Sequence, residues 1–206
     1  GEPFLRAEGT AAALHMAWKV SLNLCDHLSG VATKTRAIVD AAHSANPACE
    51  VLTTRKSMPG VKDLLTKAVT CGGAFPHRLG ASETVLVFDH HITFMGGFEA
   101  FLEALPALRG RCVEKKLFVE AGPDEARCLA EAGVDGIQLD KLPVDDLAAI
   151  VPELRAIDPH LTLIAAGGIN LQNAAAYAAC GVDGLATTAP FTAKPIDMSV
   201  RMKRAE

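Results

Sequence analysis

No stretch of the 206-residue chain approaches the roughly 18 to 20 apolar residues of a membrane span. The N-terminus also lacks the basic, apolar, small-residue order of a signal peptide. The chain is therefore expected to be cytoplasmic, with no membrane partner. Positive charge is short as well: 20 Lys and Arg against 24 Asp and Glu give a net charge of -4. No overall field draws in nucleic acid or an anionic membrane surface, so an anionic ligand must be met by local charge. The six cysteines (Cys25, Cys49, Cys71, Cys112, Cys128 and Cys180) contain no C-x-x-C pair, which favours buried free thiols over a disulfide frame or a zinc site. No segment is of low complexity, and no dinucleotide-binding glycine fingerprint occurs.

What is present is apolar. With 50% hydrophobic and 21% charged residues, the chain can bury a large core, which argues against disorder. Its length suits one domain or a domain and a half, slightly below the roughly 250 residues of a full (β/α)8 barrel. It opens with Gly1 rather than Met, and residues 1–9 have no clear partner for their few apolar side chains, so a segment is expected to precede it.

Thr10 to His27 is rich in Ala and Leu without Pro or Gly and predicts a helix, and Ser29 is placed to cap a second one from Val31 to about His43. After Asn46-Pro47, short apolar runs alternate with amphipathic segments. Strands are predicted at 51–54, 85–88, 117–119, 136–139, 161–165 and 184–187, with helices at 59–70, 98–108, 123–132, 144–157 and 171–180. Continuous apolar strands separated by helices predict an α/β fold with a parallel sheet, and six of them favour a closed or nearly closed barrel over an open sheet. Glu131-Ala132-Gly133-Val134-Asp135-Gly136 and Ala179-Cys180-Gly181-Val182-Asp183-Gly184 mark the same element twice, a helix C-terminus, a glycine cap and a strand entrance. They are too short to establish a repeat.

In a parallel barrel the loops after the strands build the functional face. Those ends carry Arg55-Lys56, Asp89-His90-His91, Glu120, Asp140-Lys141, Gly167-Gly168 and Thr187-Thr188, with His77-Arg78 in the loop before the second predicted strand. Together they predict one polar pocket with a cationic side and two carboxylates. Singly, each has a plainer reading: a solvated dibasic loop for Arg55-Lys56, turn or helix-terminus residues for Glu120 and Asp140, and ordinary strand threonines for Thr187-Thr188. Asp89-His90-His91 invites a metal reading, but adjacent strand residues point to opposite faces, so the two histidines are not expected in one site. Gly167-Gly168 lets backbone N–H groups approach a ligand, and Asn170 can cap a helix whose N-terminus attracts phosphate. A tight turn with no ligand is the alternative.

Leu28-Ser29-Gly30-Val31-Ala32-Thr33, Thr54-Arg55-Lys56-Ser57-Met58-Pro59-Gly60, Cys71-Gly72-Gly73 followed by His77-Arg78-Leu79-Gly80, and Gly167-Gly168-Ile169 resemble, in order and spacing, the motifs of the quinolinate phosphoribosyltransferase family, the carboxylating nicotinate-nucleotide pyrophosphorylases. Thr54 to Gly60 and Val87-Phe88-Asp89-His90-His91 are more specifically similar to the ModD pyrophosphorylases of molybdenum transport operons. The resemblance implies an N-terminal α/β sandwich domain and an incomplete TIM-like α/β barrel of six or seven strands, in a homodimer whose sites are completed by the partner. Within this chain it implies the end of the N-terminal domain and a connecting helix in residues 1–27, the barrel phosphoribosyltransferase domain in 28–190, and a segment returning to the N-terminal domain in 191–206. The implied reaction joins phosphoribosyl pyrophosphate to a pyridine dicarboxylate, with magnesium as cofactor and loss of carbon dioxide and pyrophosphate.

By the same resemblance Arg55, His77 and Arg78 bind the acidic acceptor, and Lys56 binds the pyrophosphate or the acceptor. Glu120 and Asp140 face the ribose hydroxyls and magnesium, directly or through water, and with Lys56 form the catalytic set. Gly167 and Gly168, with Thr188, hold the 5′-phosphate. Lys19 stands for an arginine supplied to the neighbouring subunit's site, keeping its charge but losing the bidentate fork.

The departures point to another acceptor. Phe88 stands where the family has a lysine touching both substrates, Ala74-Phe75-Pro76 replaces a Gly-His-Asn segment, Ile164 a glutamate and Ala166 a serine. The acceptor side is expected to be more apolar, and one lost charge-assisted hydrogen bond is worth about 1.5 to 3 kcal/mol, roughly 10- to 150-fold, which disfavours quinolinate. The expected activity is phosphoribosyl transfer to a small aromatic or heteroaromatic acid. Phe88 itself is expected to line the acceptor site. One alternative is ordinary carboxylating nicotinate-nucleotide synthesis from quinolinate in NAD biosynthesis. The other is a non-catalytic anion-binding barrel linked to molybdate uptake. Two carboxylates at the site favour the enzyme, because an oxyanion receptor has no use for them.

Overall fold

The computed structural model describes residues 2–80 and 83–204. Helix α1 spans Ala11–Ala45, with Thr10 accepting the Ala13 N–H at its start. It is one helix where the sequence predicts two, and Ser29 caps nothing. Gly30 lies inside it because the C-terminal segment crosses there: a Cβ at Gly30 would sit 2.2 Å from the Lys194 carbonyl oxygen. Packing thus overrides the roughly 1 kcal/mol that a helical glycine costs. The same segment stays on α1, where the Ile196 N–H donates to the Asp26 carbonyl at 3.0 Å and the Met198 N–H to the Asp26 carboxylate at 3.1 Å.

After α1 the chain alternates β1 (Glu50–Thr53), α2 (Lys62–Cys71), β2 (Phe75–Pro76), β3 (Val85–Val87), α3 (Asp89–Phe94), α4 (Phe98–Arg111), β4 (Leu117–Ala121), α5 (Pro123–Glu131), β5 (Gly136–Asp140), α6 (Val144–Ile157), β6 (Thr162–Ala166), α7 (Ala174–Ala179) and β7 (Gly184–Thr187), ending in a 3-10 turn over Ala189–Thr192. The seven strands form one parallel sheet in the order β2-β1-β7-β6-β5-β4-β3. The sheet curls into an incomplete barrel, open between β2 and β3. β2 is the strand that the sequence conceals, being two residues long and ending in a proline.

Both faces of the sheet are apolar, which is why the strands read as unbroken hydrophobic runs. The outer residues, among them Val119, Ile137, Leu139, Leu163 and Leu185, pack under the helices in the main core. The inner residues Leu86, Phe118, Ile164, Ala166 and Ala186 form a second cluster inside the curl, against which Leu52 and Phe88 rest. Gly136 opens β5 without a side chain because a Cβ there would lie 2.1 Å from the Phe118 ring, which fills the base of the barrel.

The twice-occurring Gly-Val-Asp-Gly motif has one structural role. Gly133 and Gly181 turn the chain out of α5 and α7 at φ 77° and 84°. Asp135 then accepts the Leu117 N–H at 2.7 Å, and Asp183 accepts the Leu163 N–H at 2.6 Å, so each aspartate fixes the start of the neighbouring strand. All six cysteines are free thiols, but only Cys49 is buried, while Cys71 and Cys128 are exposed on helix surfaces. Burial, with Asp183 and Glu50 nearby, pushes the Cys49 thiol up to about 12. Among the described residues no helix is long and apolar enough to cross a membrane.

Candidate active site

Residues two apart on a strand share a face, so the register decides what enters the barrel. Glu120 pairs with Gln138 and Gln138 with Ile164; one step further along, Asp140 pairs with Ala166 and Ala166 with Ala186. Two carboxylates and an amide therefore stand above the apolar inner cluster, at the C-terminal ends of β4 and β5. These ends border an open cleft of about 670 Å³.

The cleft gathers nearly every residue singled out in the sequence. Arg55 and Lys56 enter from the end of β1, His77 and Arg78 from the end of β2, and Phe88 from the end of β3. Glu120, Asp140, Gly167, Gly168 and Thr188 complete the wall. Lys19, expected to serve the neighbouring subunit's site, is exposed on α1 away from this cleft, with its ammonium 5.3 Å from the Trp18 ring centroid. Ala74-Phe75-Pro76 also lies outside the cleft wall; Ala74 is fully buried and Phe75 is 53% exposed. The apolar character of the cleft comes instead from Leu86, Phe88, Ala166, Ile169 and Ala186.

The cationic side is set up for a shared anion. Burial, and then the Arg55 charge, push the Arg78 guanidinium below its ordinary value, and an anion between the two arginines would relieve both. Arg78 lies over the Phe88 ring at 5.8 Å from its centroid, within cation–π range. Phe88 is half-buried, and His90 stacks on it at 5.5 Å. Burial, and secondarily Arg78, push the His77 imidazole down, so it is neutral near pH 7. Its Nε2 is buried with no partner among the described residues, which leaves a hydrogen-bonding position but no further cation.

The acidic side has the opposite strain. Burial raises the Glu120 carboxyl above its ordinary range; the Gln138 Nε2 hydrogen bond at 2.5 Å counters this, Asp140 adds to it, and Lys141 and Lys56 oppose it. A carboxyl with a raised folded pKa is neutral, and costs nothing, below its unfolded pKa, and it destabilises as pH rises through the window up to the folded value. Glu120→Gln has no charge to desolvate, so relative to the wild type it is expected to gain thermal stability as pH rises above about 4, the ordinary range of a glutamate, and to keep that gain at higher pH. Gln138→Leu removes the bond that lowers the carboxyl and should widen that window upward. Melting curves across pH check both.

Three local expectations change. Asp89-His90-His91 is the first turn of α3, not a strand end, and His91 Nδ1 accepts the Phe88 N–H at 3.0 Å. The two histidine rings are neighbours at 4.0 Å rather than on opposite faces. Among the described residues no three His, Cys, Asp or Glu side chains gather as a metal-binding group. Asn170 caps no helix: α7 begins only at Ala174, because Asn170 accepts the Gln172 N–H at 2.9 Å while the Asn170 and Asn173 amides donate to the Gly168 carbonyl, holding residues 168–173 as a turn. Thr187 is buried and donates to the Ile169 carbonyl at 2.6 Å, a structural role. Thr188 meets Thr54 at 2.9 Å between their hydroxyls on the cleft wall.

Gln138, Thr54, Thr192 and Lys141 also line the cleft. Gln138 had a legible signal, as the one polar residue inside an apolar strand at the same parity as Asp140. Thr54 and Thr192 had none.

Residues 31–201 match the family model described as quinolinate phosphoribosyl transferase, C-terminal domain. The chain belongs to this family. A Rhodobacter capsulatus relative named as the pyrophosphorylase ModD is 45% identical over 176 residues, covering 85% of this chain and 67% of its own. A carboxylating nicotinate-nucleotide pyrophosphorylase of Mycobacterium leprae is 35% identical over 190 residues, covering 92% of this chain and 65% of its own. Among solved structures, NadC from Streptococcus pyogenes superposes with a TM-score of 0.82 at 27% identity, over 94% of this chain and 66% of that one. The chain thus spans about two thirds of the length of these relatives, and its half-barrel is that of the quinolinate phosphoribosyl transferase C-terminal domain.

Proposed function

We propose that this chain is the catalytic barrel of a phosphoribosyltransferase that moves phosphoribosyl from phosphoribosyl pyrophosphate to a small aromatic or heteroaromatic acid other than quinolinate. The observation that carries the reading is the opposition of charge across one cleft: Arg55, Lys56 and Arg78 on one side, Glu120 and Asp140 on the other, over an apolar floor. Displacing pyrophosphate from a ribose passes through an oxocarbenium-like centre, with positive charge on the sugar and negative charge on the leaving group. The bond from C1 to the pyrophosphate oxygen breaks as C1 bonds to the acceptor, and no protein nucleophile is needed. Glu120 and Asp140 stabilise the sugar, while Arg55 and Lys56 stabilise the departing pyrophosphate from fixed positions. Arg78 and Arg55 clamp the acceptor's carboxylate, and the Phe88 ring takes its aromatic face.

Two carboxylates are a donor set that fits magnesium, which keeps most of its waters and takes the remaining ligands from substrate phosphates. Glu120 and Asp140 would hold it, and the ion would neutralise the leaving pyrophosphate.

The second reading, carboxylating nicotinate-nucleotide synthesis, is favoured by the Mycobacterium leprae relative that bears that name. The deciding experiment screens aromatic acids for pyrophosphate release with phosphoribosyl pyrophosphate and magnesium. Release with a monocarboxylate above that with quinolinate supports the proposal, and preference for quinolinate moves the assignment to the second reading. No release with any acid, together with retained anion binding, leaves a binding barrel.

A further inference from the structure

Lys141 follows Asp140 at the end of β5 and lines the cleft, with 81% of its side chain exposed. Among the described residues it is the one non-glycine with positive φ, 56°. Glycine, and to a lesser degree Asn or Asp, occupies that region at lower cost than a long side chain. Here the backbone is held in place: the Lys141 N–H donates to the Ala166 carbonyl at 2.8 Å. Gly167 is the complement, since a Cβ there would come within 2.6 Å of the Lys141 nitrogen and 2.5 Å of its Cγ. Two uncommon backbone positions just after neighbouring strands therefore fit one another, and what they deliver to the cleft is an ammonium group. Non-glycine residues held in this region cluster at functional sites.

The arrangement of charge says what the ammonium meets. The other cations of the cleft wall stand at the ends of β1 and β2, whereas β3, β4, β6 and β7 end in Phe88, Glu120, Gly167-Gly168 and Thr188. Lys141 is the cation beside the glycine loop. Gly168 faces open space, with nothing within 4 Å of an added Cβ, and α7 is too short and too displaced to assist an anion there. The Lys141 pair with Asp140, at 3.2 Å, has its lysine end in solvent, where screening keeps such a pair weak, so the ammonium is free to turn to a dianion.

We propose that Lys141 binds the 5′-phosphate of the phosphoribosyl donor at the Gly167-Gly168 loop, so that the two phosphate-bearing ends of the donor are met by separate cations. The assignment rests on the phosphoribosyltransferase reading. The test titrates ribose 5-phosphate and inorganic pyrophosphate separately into the full chain and its Lys141→Asn, Lys141→Gly and Lys141→Arg variants. Asn and Gly should weaken ribose 5-phosphate about tenfold or more while leaving pyrophosphate unchanged, and Arg should retain both. The melting temperature of Lys141→Gly should not fall, because glycine accepts the backbone conformation, and Lys141→Asn serves as the second replacement if the glycine variant folds poorly. Unchanged ribose 5-phosphate affinity, equal loss of both ligands, or no ribose 5-phosphate binding by the wild type overturns the assignment. Binding that depends on Lys141 without transfer from phosphoribosyl pyrophosphate overturns the phosphoribosyltransferase reading and leaves the phosphate site standing.

Discussion

Replacing both cleft carboxylates, Glu120→Gln together with Asp140→Asn, is expected to weaken magnesium-dependent binding of phosphoribosyl pyrophosphate by about 100-fold or more, since two charge-assisted contacts of about 1.5 to 3 kcal/mol each are lost. The same change should act in the opposite direction without the metal. With the carboxylates gone, Arg55, Lys56 and Lys141 face the polyanion without an opposing charge, and Lys141 loses its half-buried partner Asp140 at 3.2 Å. In chelator the double variant should therefore bind phosphoribosyl pyrophosphate at least as tightly as the wild type. Titration calorimetry with and without chelator reads both arms. This crossing separates the enzyme from an anion-binding barrel, in which loss of negative charge tightens anion binding under both conditions. Heat of binding in the wild type that chelator does not alter would remove the metal and ribose roles of Glu120 and Asp140.

The parts of this fold that were legible in the sequence are those in which local pattern and tertiary packing agree. Runs such as 117–119 and 136–139 are apolar on both faces because each strand packs helices outside and the Leu86–Phe118 cluster inside. Alternation of such strands with amphipathic segments then leaves few topologies. The misreadings share one cause, a tertiary contact with no local trace. Gly30 looks like a helix break until the Lys194 carbonyl is placed against it. The two residues of β2 gain strand character only by pairing with Leu52 and Thr53. Asp89-His90-His91 follows an apolar run, and what turns it into α3 is the Phe88 N–H bonding to His91 Nδ1.

The site was more legible than the elements around it, because strand ends in a parallel barrel converge on one face whatever the detail of the loops. Arg55, Glu120, Asp140 and Gly167 could thus be brought together from their positions after apolar runs. What position could not supply is conformation. Nothing in Gln138-Leu139-Asp140-Lys141 marks a left-handed lysine, which exists because Gly167, just after β6, leaves room for it. Nor does sequence distinguish a histidine that adds charge from His77, which burial keeps neutral.

Phe88→Lys is expected to improve quinolinate affinity about tenfold or more, because one charge-assisted hydrogen bond to the second carboxylate is gained. Phe88 is half-buried at the end of β3, with Leu86 beneath it and the Arg78 guanidinium 5.8 Å from its ring. A monocarboxylate held by Arg55 and Arg78 can lay its ring there, whereas a second carboxylate would be desolvated against a phenyl face. Two effects oppose the gain. Arg78 loses a cation–π partner worth about 0.5 to 1 kcal/mol. The new ammonium would also share its surroundings with Arg78 and apolar side chains, which favours loss of its proton. A lysine with a lowered pKa is charged only below that value, so the improvement should grow as pH falls and shrink as pH rises. That trend tells a recovered ion pair from a mere gain of space. The measurement is quinolinate affinity for the native protein and Phe88→Lys over a range of pH. Tight quinolinate binding and turnover by the native protein would remove Phe88 as the determinant of specificity and give the barrel to carboxylating nicotinate-nucleotide synthesis.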